Sequence, residues 1–252
     1  MGKLLSKRVL VTGGGQGIGL AIVEELLRQG CRVAIHYHTS AEGAKEAKRL
    51  AQDAARVECF AGDLTNETAA RGVVNGAAAF LGGLDILINN TGDLVGRRKV
   101  EEIDSAFWQK VIEVNLTSMM LATREATPHL VQAKQSSIVN LASVAGRMGG
   151  HPGSLAYSTA KGAVLSWTRS LARELGPRGV RVNAVAPGLI LGTRFHNTHT
   201  TAESAAATVA GIPLGRAGTA EDVARAVAFL ASEYDGFITA ATLDINGGVY
   251  GC

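Results

Sequence analysis

The strongest constraint on the fold is an alternation, along the chain, of short apolar segments with longer segments of helical periodicity. Each apolar segment is nearly continuous and is bounded by glycine or polar residues, which is typical of a strand covered on both faces. Strands joined by helices in this way form parallel sheets. The sequence therefore predicts an α/β fold, a doubly wound parallel sheet with helices on both faces and strands at 8–12, 31–37, 56–60, 85–89, 136–143, 180–186 and 241–245.

The intervening helices are predicted to begin near residues 17, 41, 66, 104, 156 and 220. A chain of 252 residues suits a single α/β domain, and no repeat or linker divides it, so we assign one domain to 1–252. Segment 190–215 is polar, rich in small residues and poorly periodic. Such long excursions often act as lids over a site, and we interpret this one as a substrate lid, although a plain surface insertion has the same pattern.

Composition excludes several classes of protein. The formal charge is only +3, and the basic residues are scattered without a run of five, so we expect no nucleic-acid partner. No apolar stretch reaches the roughly 18 residues of a membrane span, and we expect neither a signal peptide nor a membrane partner. Cys31, Cys59 and Cys252 form no paired framework, and no metal-ligand pattern is present. The sequence therefore predicts a cytoplasmic protein with no metal.

A glycine-rich loop, VTGGGQGIG, joins the first predicted strand to the first helix. Gly13, Gly17 and Gly19 follow a G-x-x-x-G-x-G spacing. Ile18 stands where the usual dinucleotide fingerprint has glycine. Glycines allow a tight turn there, and the free N–H groups of the helix N-terminus can bind a pyrophosphate. The loop predicts nucleotide binding, with a turn of no further function as the alternative.

The end of the second predicted strand indicates which nicotinamide cofactor the chain prefers. An acidic residue there would bind the ribose 2′-hydroxyl of NAD. This chain instead has Tyr37, His38, Thr39 and Ser40. Hydroxyl groups and a histidine can bind a 2′-phosphate, so we predict NADP(H) over NAD(H), although no arginine in the stretch strengthens that preference. Asp63, after the third strand, could bind the adenine amino group or act only as a turn residue.

Tyr157 and Lys161, in AYSTAK, are four positions apart in a predicted helix, so their side chains share a face with Cβ atoms roughly 5–6 Å apart. An unperturbed tyrosine has a pKa of about 10, and a nearby cation favours its ionised form. We therefore read Tyr157 as a candidate acid/base. The spacing is common on solvated helix faces, which is the alternative, so neighbouring residues must decide.

Two further polar residues support the acid/base interpretation. Ser143 falls at the carboxyl end of the fifth predicted strand, fourteen residues before Tyr157. Ligands of doubly wound folds bind beyond such strand ends, so its hydroxyl can donate to the carbonyl oxygen that Tyr157 protonates. Asn115 lies within a helical segment although asparagine is a poor helix former, which indicates a use for its amide. A tolerated polar residue is the alternative for Asn115.

The segments TGGGQGIG, NNTG, YSTAK, VNAVAPG and LDINGG, with Asn115 and Ser143, resemble the short-chain dehydrogenase/reductase family over almost the whole chain. The resemblance implies a Rossmann-type sheet of about seven strands, and hydride transfer between a nicotinamide cofactor and a ketone or secondary alcohol. It implies that Tyr157 is the acid/base, that Ser143 orients the substrate oxygen, and that Lys161 lowers the tyrosine pKa and holds the nicotinamide ribose. Asn115 would hold a water that relays protons.

The resemblance also implies the cofactor contacts and the assembly. The group that it resembles most is that of 3-oxoacyl-carrier-protein reductases and sugar dehydrogenases, which are often tetramers, so a homotetramer or homodimer is expected. The expected cofactor-binding residues are Gly13, Gly15, Gln16, Gly17, Ile18, Gly19, Tyr37, His38, Thr39, Ser40, Asp63, Leu64, Asn89, Gly92, Tyr157, Lys161, Pro187, Gly188, Ile190 and Thr193.

The chain departs from the family pattern around the substrate. Gly192 stands where a threonine often follows the Pro187–Gly188 pair, and Thr193 comes one position later. The interval from Ser143 to Tyr157 is one residue longer than is common in the reductase group. We expect substrate contacts from Ser143, Asp93, His151 and Leu189.

Three functions remain open at the level of sequence. The first is an NADPH-preferring reductase of ketones, with 3-oxoacyl thioesters as candidate substrates. The second is a sugar or polyol dehydrogenase. The third, of a different class, is a non-catalytic nucleotide-binding sensor or scaffold, which would not need to keep all four polar residues together.

Overall fold

A computed structural model describes residues 4–50, 54–133, 135–232 and 236–251. Of the residues discussed above, Cys252 lies outside these ranges. The described residues form one parallel seven-stranded sheet in the order β3-β2-β1-β4-β5-β6-β7. Its strands are β1 (Arg8–Val11), β2 (Arg32–Tyr37), β3 (Val57–Ala61), β4 (Ile86–Asn89), β5 (Ser136–Leu141), β6 (Val180–Pro187) and β7 (Thr242–Ile245).

Helices connect consecutive strands and cover the sheet. The six longest are α1 (Gly17–Arg28), α2 (Ala41–Leu50), α3 (Glu67–Leu81), α5 (Ser118–Gln132), α7 (Leu155–Leu175) and α10 (Ala220–Ala231). Shorter ones are α4 (Ser105–Ile112), α6 (Ala145–Met148), α8 (Arg194–His199) and α9 (Ala202–Ala210). No helix within the described ranges is long and apolar enough to cross a membrane.

Alternating side chains of the strands build two cores, one on each face of the sheet. In β1, Val9 and Val11 belong to the core under α1 and α10, where they pack with residues such as Ile22 and Val223. Leu10, between them, belongs to the opposite core with residues of α3, α5 and α7, such as Leu171. All of these side chains are buried. The predicted doubly wound single domain is therefore confirmed.

The strand order reverses beside β1, which pairs with β2 on one side and with β4 on the other. At this point the chain connections diverge to opposite faces, which opens a crevice beyond the carboxyl ends of the strands. Strand β5 ends at Leu141, two residues earlier than predicted. Backbone N–H groups of Ala142 and Val144 still donate to β6, at Val185 and Pro187 (both 2.9 Å), so the chain around Ser143 remains held.

The helix predicted to begin near 104 is one continuous helical run that consists of α4, a π-helical turn at Glu113–Thr117, and α5. The poorly periodic segment 190–215 contains the helices α8 and α9. Thr201 caps α9 by accepting a hydrogen bond from the Ser204 N–H (3.2 Å). Local capping and contact with the rest of the domain order this segment despite its weak apolar pattern.

Candidate active site

A cavity of about 510 Å³ lies at the carboxyl ends of the strands. Its walls come from the segments that follow β1, β2, β4, β5 and β6, and from α7 and α8. This is the crevice that the reversal of strand order creates. The residues discussed below are therefore brought together from parts of the chain that are far apart in sequence.

The glycine loop forms one end of the cavity. Gly13 and Gly17 have φ of +63° and +52°, a region that side chains other than glycine rarely adopt. Gln16 precedes α1 without a side-chain capping bond within the described ranges, and the first turn of α1 contains no acidic residue. The first N–H groups of α1 are thus not claimed by a cap, as an anion-binding helix N-terminus requires.

His36, which sequence analysis did not select, holds this loop in place. The Gly13 N–H donates to His36 Nδ1 (3.1 Å), and His36 Nε2 lies 3.0 Å from the Gly62 carbonyl oxygen. Because Nδ1 accepts, Nε2 carries the proton and donates to Gly62. Burial lowers the pKa of His36 to about 4, so the neutral ring persists at pH 7. The only signal in the sequence was its place inside an apolar strand.

The chain at the end of β2 also lines the cavity, through Tyr37, His38, Thr39 and Ser40. Asp63 and Leu64 are not brought to the cavity wall. The Asp63 carboxylate instead accepts hydrogen bonds from the Thr65 N–H (2.9 Å) and hydroxyl (2.7 Å). Leu64 is buried against Leu121 and Ala122. Asp63 therefore serves as a turn residue, the alternative left open by its sequence.

Asn90, and not the predicted Asn89, lines the cavity. The Asn89 side chain lies below the cavity, where its amide donates to Thr123 Oγ1 (3.0 Å) and Asn140 Oδ1 (2.9 Å). The Asn90 amide donates to the Gly13 carbonyl (3.0 Å), and Asn90 lines the cavity. Alternation along the strand sends neighbouring side chains to opposite sides, which explains the shift by one residue.

The residues of the nucleotide end fit a dinucleotide. Thr91 Oγ1 is buried at the cavity wall and has no hydrogen-bond partner among the described residues. A side chain on Gly15 would clash with the Ser40 carbonyl, so the loop packs closely against the end of β2. Open helix N–H groups, an unsatisfied hydroxyl and a closely packed glycine turn together match the requirements of a bound diphosphate.

Ser143 and Tyr157 meet at the other end of the cavity. Ser143 Oγ accepts a hydrogen bond from the Ala145 N–H (3.1 Å), which fixes the hydroxyl. Burial raises the pKa of Tyr157 to about 12. The neighbouring Ser143 hydroxyl lowers this pKa, and the charge of Asp93 raises it further. The resemblance implied a lowered pKa. The chain's own groups instead keep the phenol protonated and able to donate.

Lys161 lies one helical turn after Tyr157 and is buried, with 3% of its surface exposed. Its Nζ donates to the Leu141 carbonyl (2.8 Å) and lies 5.7 Å from the centroid of the Tyr157 ring. Burial lowers the pKa of Lys161 to about 8, so the ammonium form still dominates at pH 7. A cation is therefore fixed close to the phenol.

Asn115 stands behind the cavity wall in the π-helical turn. Its amide donates to the carbonyls of Asp93 (2.6 Å) and Val111 (3.0 Å), and its Oδ1 accepts from the Asp93 N–H (3.2 Å). Gly92 separates Asn115 from Lys161. A Cβ on Gly92 would come within 2.8 Å of Asn115 Oδ1 and 3.0 Å of Lys161 Nζ. The wide turn thus aims a buried amide at the loop beside the lysine, as π-helical turns at functional sites often do.

The predicted substrate residues Asp93, His151 and Leu189 line the reaction end, and Pro187, Gly188, Ile190 and Thr193 line the adjoining wall. Thr193 also contacts the glycine loop, since its Cβ would be 3.4 Å from a Cβ on Gly17. Sequence analysis did not select Arg97, which lines the same cavity, whereas Arg194 and Phe195, which also line it, belong to the predicted lid segment 190–215. The Phe195 ring lies 5.7 Å from that of Tyr157, between centroids. These contacts arise from α8, a helix without a sequence signal.

Comparison with known proteins agrees with this geometry. Residues 13–250 match the family model described as enoyl-(acyl carrier protein) reductase. The chain is 39% identical to the 3-oxoacyl-[acyl-carrier-protein] reductase FabG of Vibrio cholerae over 253 residues, and 36% identical to 2-(S)-hydroxypropyl-CoM dehydrogenase 3 of Xanthobacter autotrophicus over 251 residues. Each alignment covers 98% of both chains.

A solved structure, that of an NADH-dependent reductase responsible for alginate metabolism, superimposes with a TM-score of 0.88. The two chains are 30% identical and are covered completely. The chain belongs to the short-chain dehydrogenase/reductase family. It is an oxidoreductase that uses a nicotinamide cofactor to interconvert ketones and secondary alcohols.

Proposed function

We propose that Tyr157, Ser143, Lys161 and Asn115 carry out this reaction, and that reduction of a ketone by NADPH is the favoured direction. The observation that carries the proposal is that Tyr157 and Ser143 line the same cavity, beside the buried Lys161 ammonium whose Nζ lies 5.7 Å from the centroid of the Tyr157 ring. A carbonyl oxygen bound at these two hydroxyls can accept a hydrogen bond from each. Both donors then stabilise negative charge that develops on the oxygen.

In the reduction, Tyr157 transfers its phenolic proton to the substrate oxygen. When bound, the nicotinamide supplies the hydride to the carbonyl carbon. The phenolate left on Tyr157 is stabilised by the Lys161 ammonium, whose carbonyl partner at Leu141 keeps it in place. The Asn115 amide, held beside Lys161 by Asp93, supports a path through which a proton returns to the phenol. In the reverse direction an alcohol is oxidised.

The cofactor would be held by the glycine loop, the end of β2 and the segment after β6. The residues that support this are the open N-terminus of α1, Asn90, Thr91 and Thr193. We infer a preference for NADP(H), because His38, Thr39 and Ser40 line the adenosine end and no carboxylate does so among the described residues.

The cofactor preference is tested by measuring dissociation constants of NADPH and NADH for the wild-type protein and for Thr39→Asp. We expect tighter binding of NADPH by the wild type. Thr39→Asp should weaken NADPH binding at least about tenfold, because the carboxylate repels the 2′-phosphate, and should change the dissociation constant of NADH by no more than about threefold. A wild-type preference for NADH would contradict the inference.

The reaction is tested by following NADPH consumption with a panel that contains 3-oxoacyl thioesters, simple ketones and keto sugars. Reduction of thioesters above all others would support the 3-oxoacyl reductase, and reduction of keto sugars would support the sugar or polyol dehydrogenase. We expect turnover with at least one ketone. No turnover in either direction across the panel would contradict the proposed roles.

We also infer that segment 190–215 is a lid, that the protein assembles as a homotetramer or homodimer, and that it is cytoplasmic. Phe195 and Thr193 of this segment contact the reaction end and the glycine loop, which supports the lid.

Cys31 and Cys59 are both unbridged thiols, which suits the reducing environment of the cytoplasm. Light scattering coupled to size exclusion measures the assembly, and a monomeric mass would contradict it.

A further inference from the structure

The reaction end of the cavity contains a cation that the proposed mechanism does not use. Among the described residues, three formally cationic side chains line the cavity: Arg97, Lys161 and Arg194. Lys161 serves the phenol, and Arg194 is next to Thr193, which contacts the glycine loop. Arg97 is the cation left on the side of the cavity formed by Asp93 and His151. Its position is therefore suited to the substrate rather than to the cofactor.

Arg97 contacts only neutral acceptors among the described residues. Its guanidinium donates to the Pro152 carbonyl (3.2 Å) and, through Nε and one terminal nitrogen, to the His199 carbonyl (both 3.4 Å). These contacts are long, and two of the five N–H groups of the guanidinium are left over. The positive charge of Arg97 is thus oriented by carbonyl oxygens but is not neutralised by them.

The next residue shows the contrast. Arg98 pairs with the Asp104 carboxylate (2.8 Å) and lies over the Phe107 ring (4.5 Å to its centroid). Arg98 does not line the active-site cavity. Arg98 is therefore paired with a carboxylate outside the cavity, whereas Arg97 lines the cavity and has no carboxylate partner among the described residues. This difference makes Arg98 a matched control for Arg97.

The nearby acid does not cancel the charge of Arg97. Asp93 is the one carboxylate among the described residues of the cavity lining, and its Oδ1 lies 3.4 Å from His199 Nε2. No ion pair joins Asp93 to Arg97 in the described ranges. A guanidinium with free N–H groups in a partly enclosed cavity binds carboxylates well, because its planar fork can donate two parallel hydrogen bonds.

We propose that the substrate of this enzyme carries a carboxylate, and that Arg97 binds it. The substrate class is then an oxo acid, reduced to a hydroxy acid, with the ketone at Ser143 and Tyr157 and the carboxylate at Arg97. This inference rests on the proposed function, since it assumes that the ketone binds at those two hydroxyls. Of the ketone substrates that the proposed function allows, this inference selects those that carry a carboxylate.

The test measures binding by calorimetry to protein saturated with NADP⁺, which cannot reduce the ketone. The probes are 2-oxobutanoate, 3-oxobutanoate and 4-oxopentanoate, each against its methyl ester. At least one acid should bind the wild type at least about tenfold more tightly than its ester. Arg97→Gln should remove that preference, Arg97→Lys should keep part of it, and Arg98→Gln should leave it within about twofold.

Two outcomes would overturn the inference. One is that no acid binds the wild type more tightly than its ester. The other is that Arg97→Gln weakens the binding of acid and ester equally. Arg97 would then serve only to connect the segments of Pro152 and His199. NADPH oxidation with the neutral esters separates the two proposals. Reduction of an ester without any preference for an acid would leave the proposed function standing and contradict this inference alone.

Discussion

The floor and the roof of the cavity are built differently. The floor consists of Ser143, Tyr157 and Lys161, which come from a strand end and a 21-residue helix, and Lys161 is buried and bonded to backbone at 2.8 Å. The roof consists of Arg97 and the helix α8, whose mutual contacts are exposed and measure 3.4 Å. Proton transfer tolerates little misplacement, whereas recognition on exposed loops can change without disturbing the fold. Substitutions in the floor should therefore alter the chemistry, and substitutions in the roof should alter the binding.

The largest effect should come from Tyr157→Phe, which removes the proposed proton donor of the floor. We expect kcat/KM for ketone reduction to fall about 1,000-fold, within the range typical of a lost general acid, while cofactor affinity changes little. Steady-state rates and cofactor titrations measure both quantities. Tyr250→Phe, the same chemical change outside the cavity lining, is the control. A Tyr157→Phe variant with near wild-type rates would remove the proposed acid.

A second effect should appear in the pH dependence of stability. Burial lowers the pKa of Lys161 from 10.5 to about 8, so the unfolded chain binds more protons between these values, and the folded protein gains stability as pH rises through that window. Relative to Lys161→Met, the wild type should gain up to about 3 kcal/mol in the free energy of unfolding from pH 8 to 10.5. Urea denaturation at several pH values measures this difference.

Lys110→Met, at an exposed position on α4, is the control for the lysine experiment. The difference between wild type and Lys161→Met should change with pH in a way that the control does not reproduce. A gap that stays constant from pH 8 to 10.5 would mean that Lys161 is not desolvated as its buried position requires.

A third prediction concerns the layer beneath the floor. Asn89→Ala removes an amide that bridges Thr123 and Asn140, and should cost about 1–3 kcal/mol in the free energy of unfolding with little change in cofactor affinity. Asn90→Ala, one residue later, should instead weaken cofactor binding, because the Asn90 amide donates to the Gly13 carbonyl and so positions the glycine loop. Denaturation and cofactor titration of both variants decide the assignment. The reverse pattern would restore Asn89 as the contact residue.

The smallest effect is expected in the roof. Phe195→Ala removes a ring that packs against Tyr157, a contact worth about 0.5–1.5 kcal/mol, so KM for the ketone should rise two- to tenfold with kcat nearly unchanged. Phe237→Ala, at a fully exposed ring, is the control. A large fall in kcat with unchanged KM would place Phe195 with the floor, and the contrast between floor and roof would fail.

The sequence by itself determined the sheet, the order of chemical groups along the chain and the reaction class. Strands that are apolar along their whole length are stable only when both faces of the sheet are covered. A glycine-rich turn between the first strand and the first helix is typical of dinucleotide binding. Tyr157, Lys161 and Ser143 could be identified because helical spacing and strand ends are local properties. The same local logic placed Thr39 and Ser40 at the cavity.

Only the tertiary structure decided which neighbours reach the cavity. Asn90 rather than Asn89 lines it, and His36 supports the glycine loop, because a strand's side chains alternate and a one-residue difference changes the face. Phe195 reaches Tyr157 from α8, and Arg97, in the segment after β4, contacts the end of that helix, whose position depends on such long-range contacts rather than on its own periodicity. The raised pKa of Tyr157 is likewise a property of burial, which arises only when distant segments pack together.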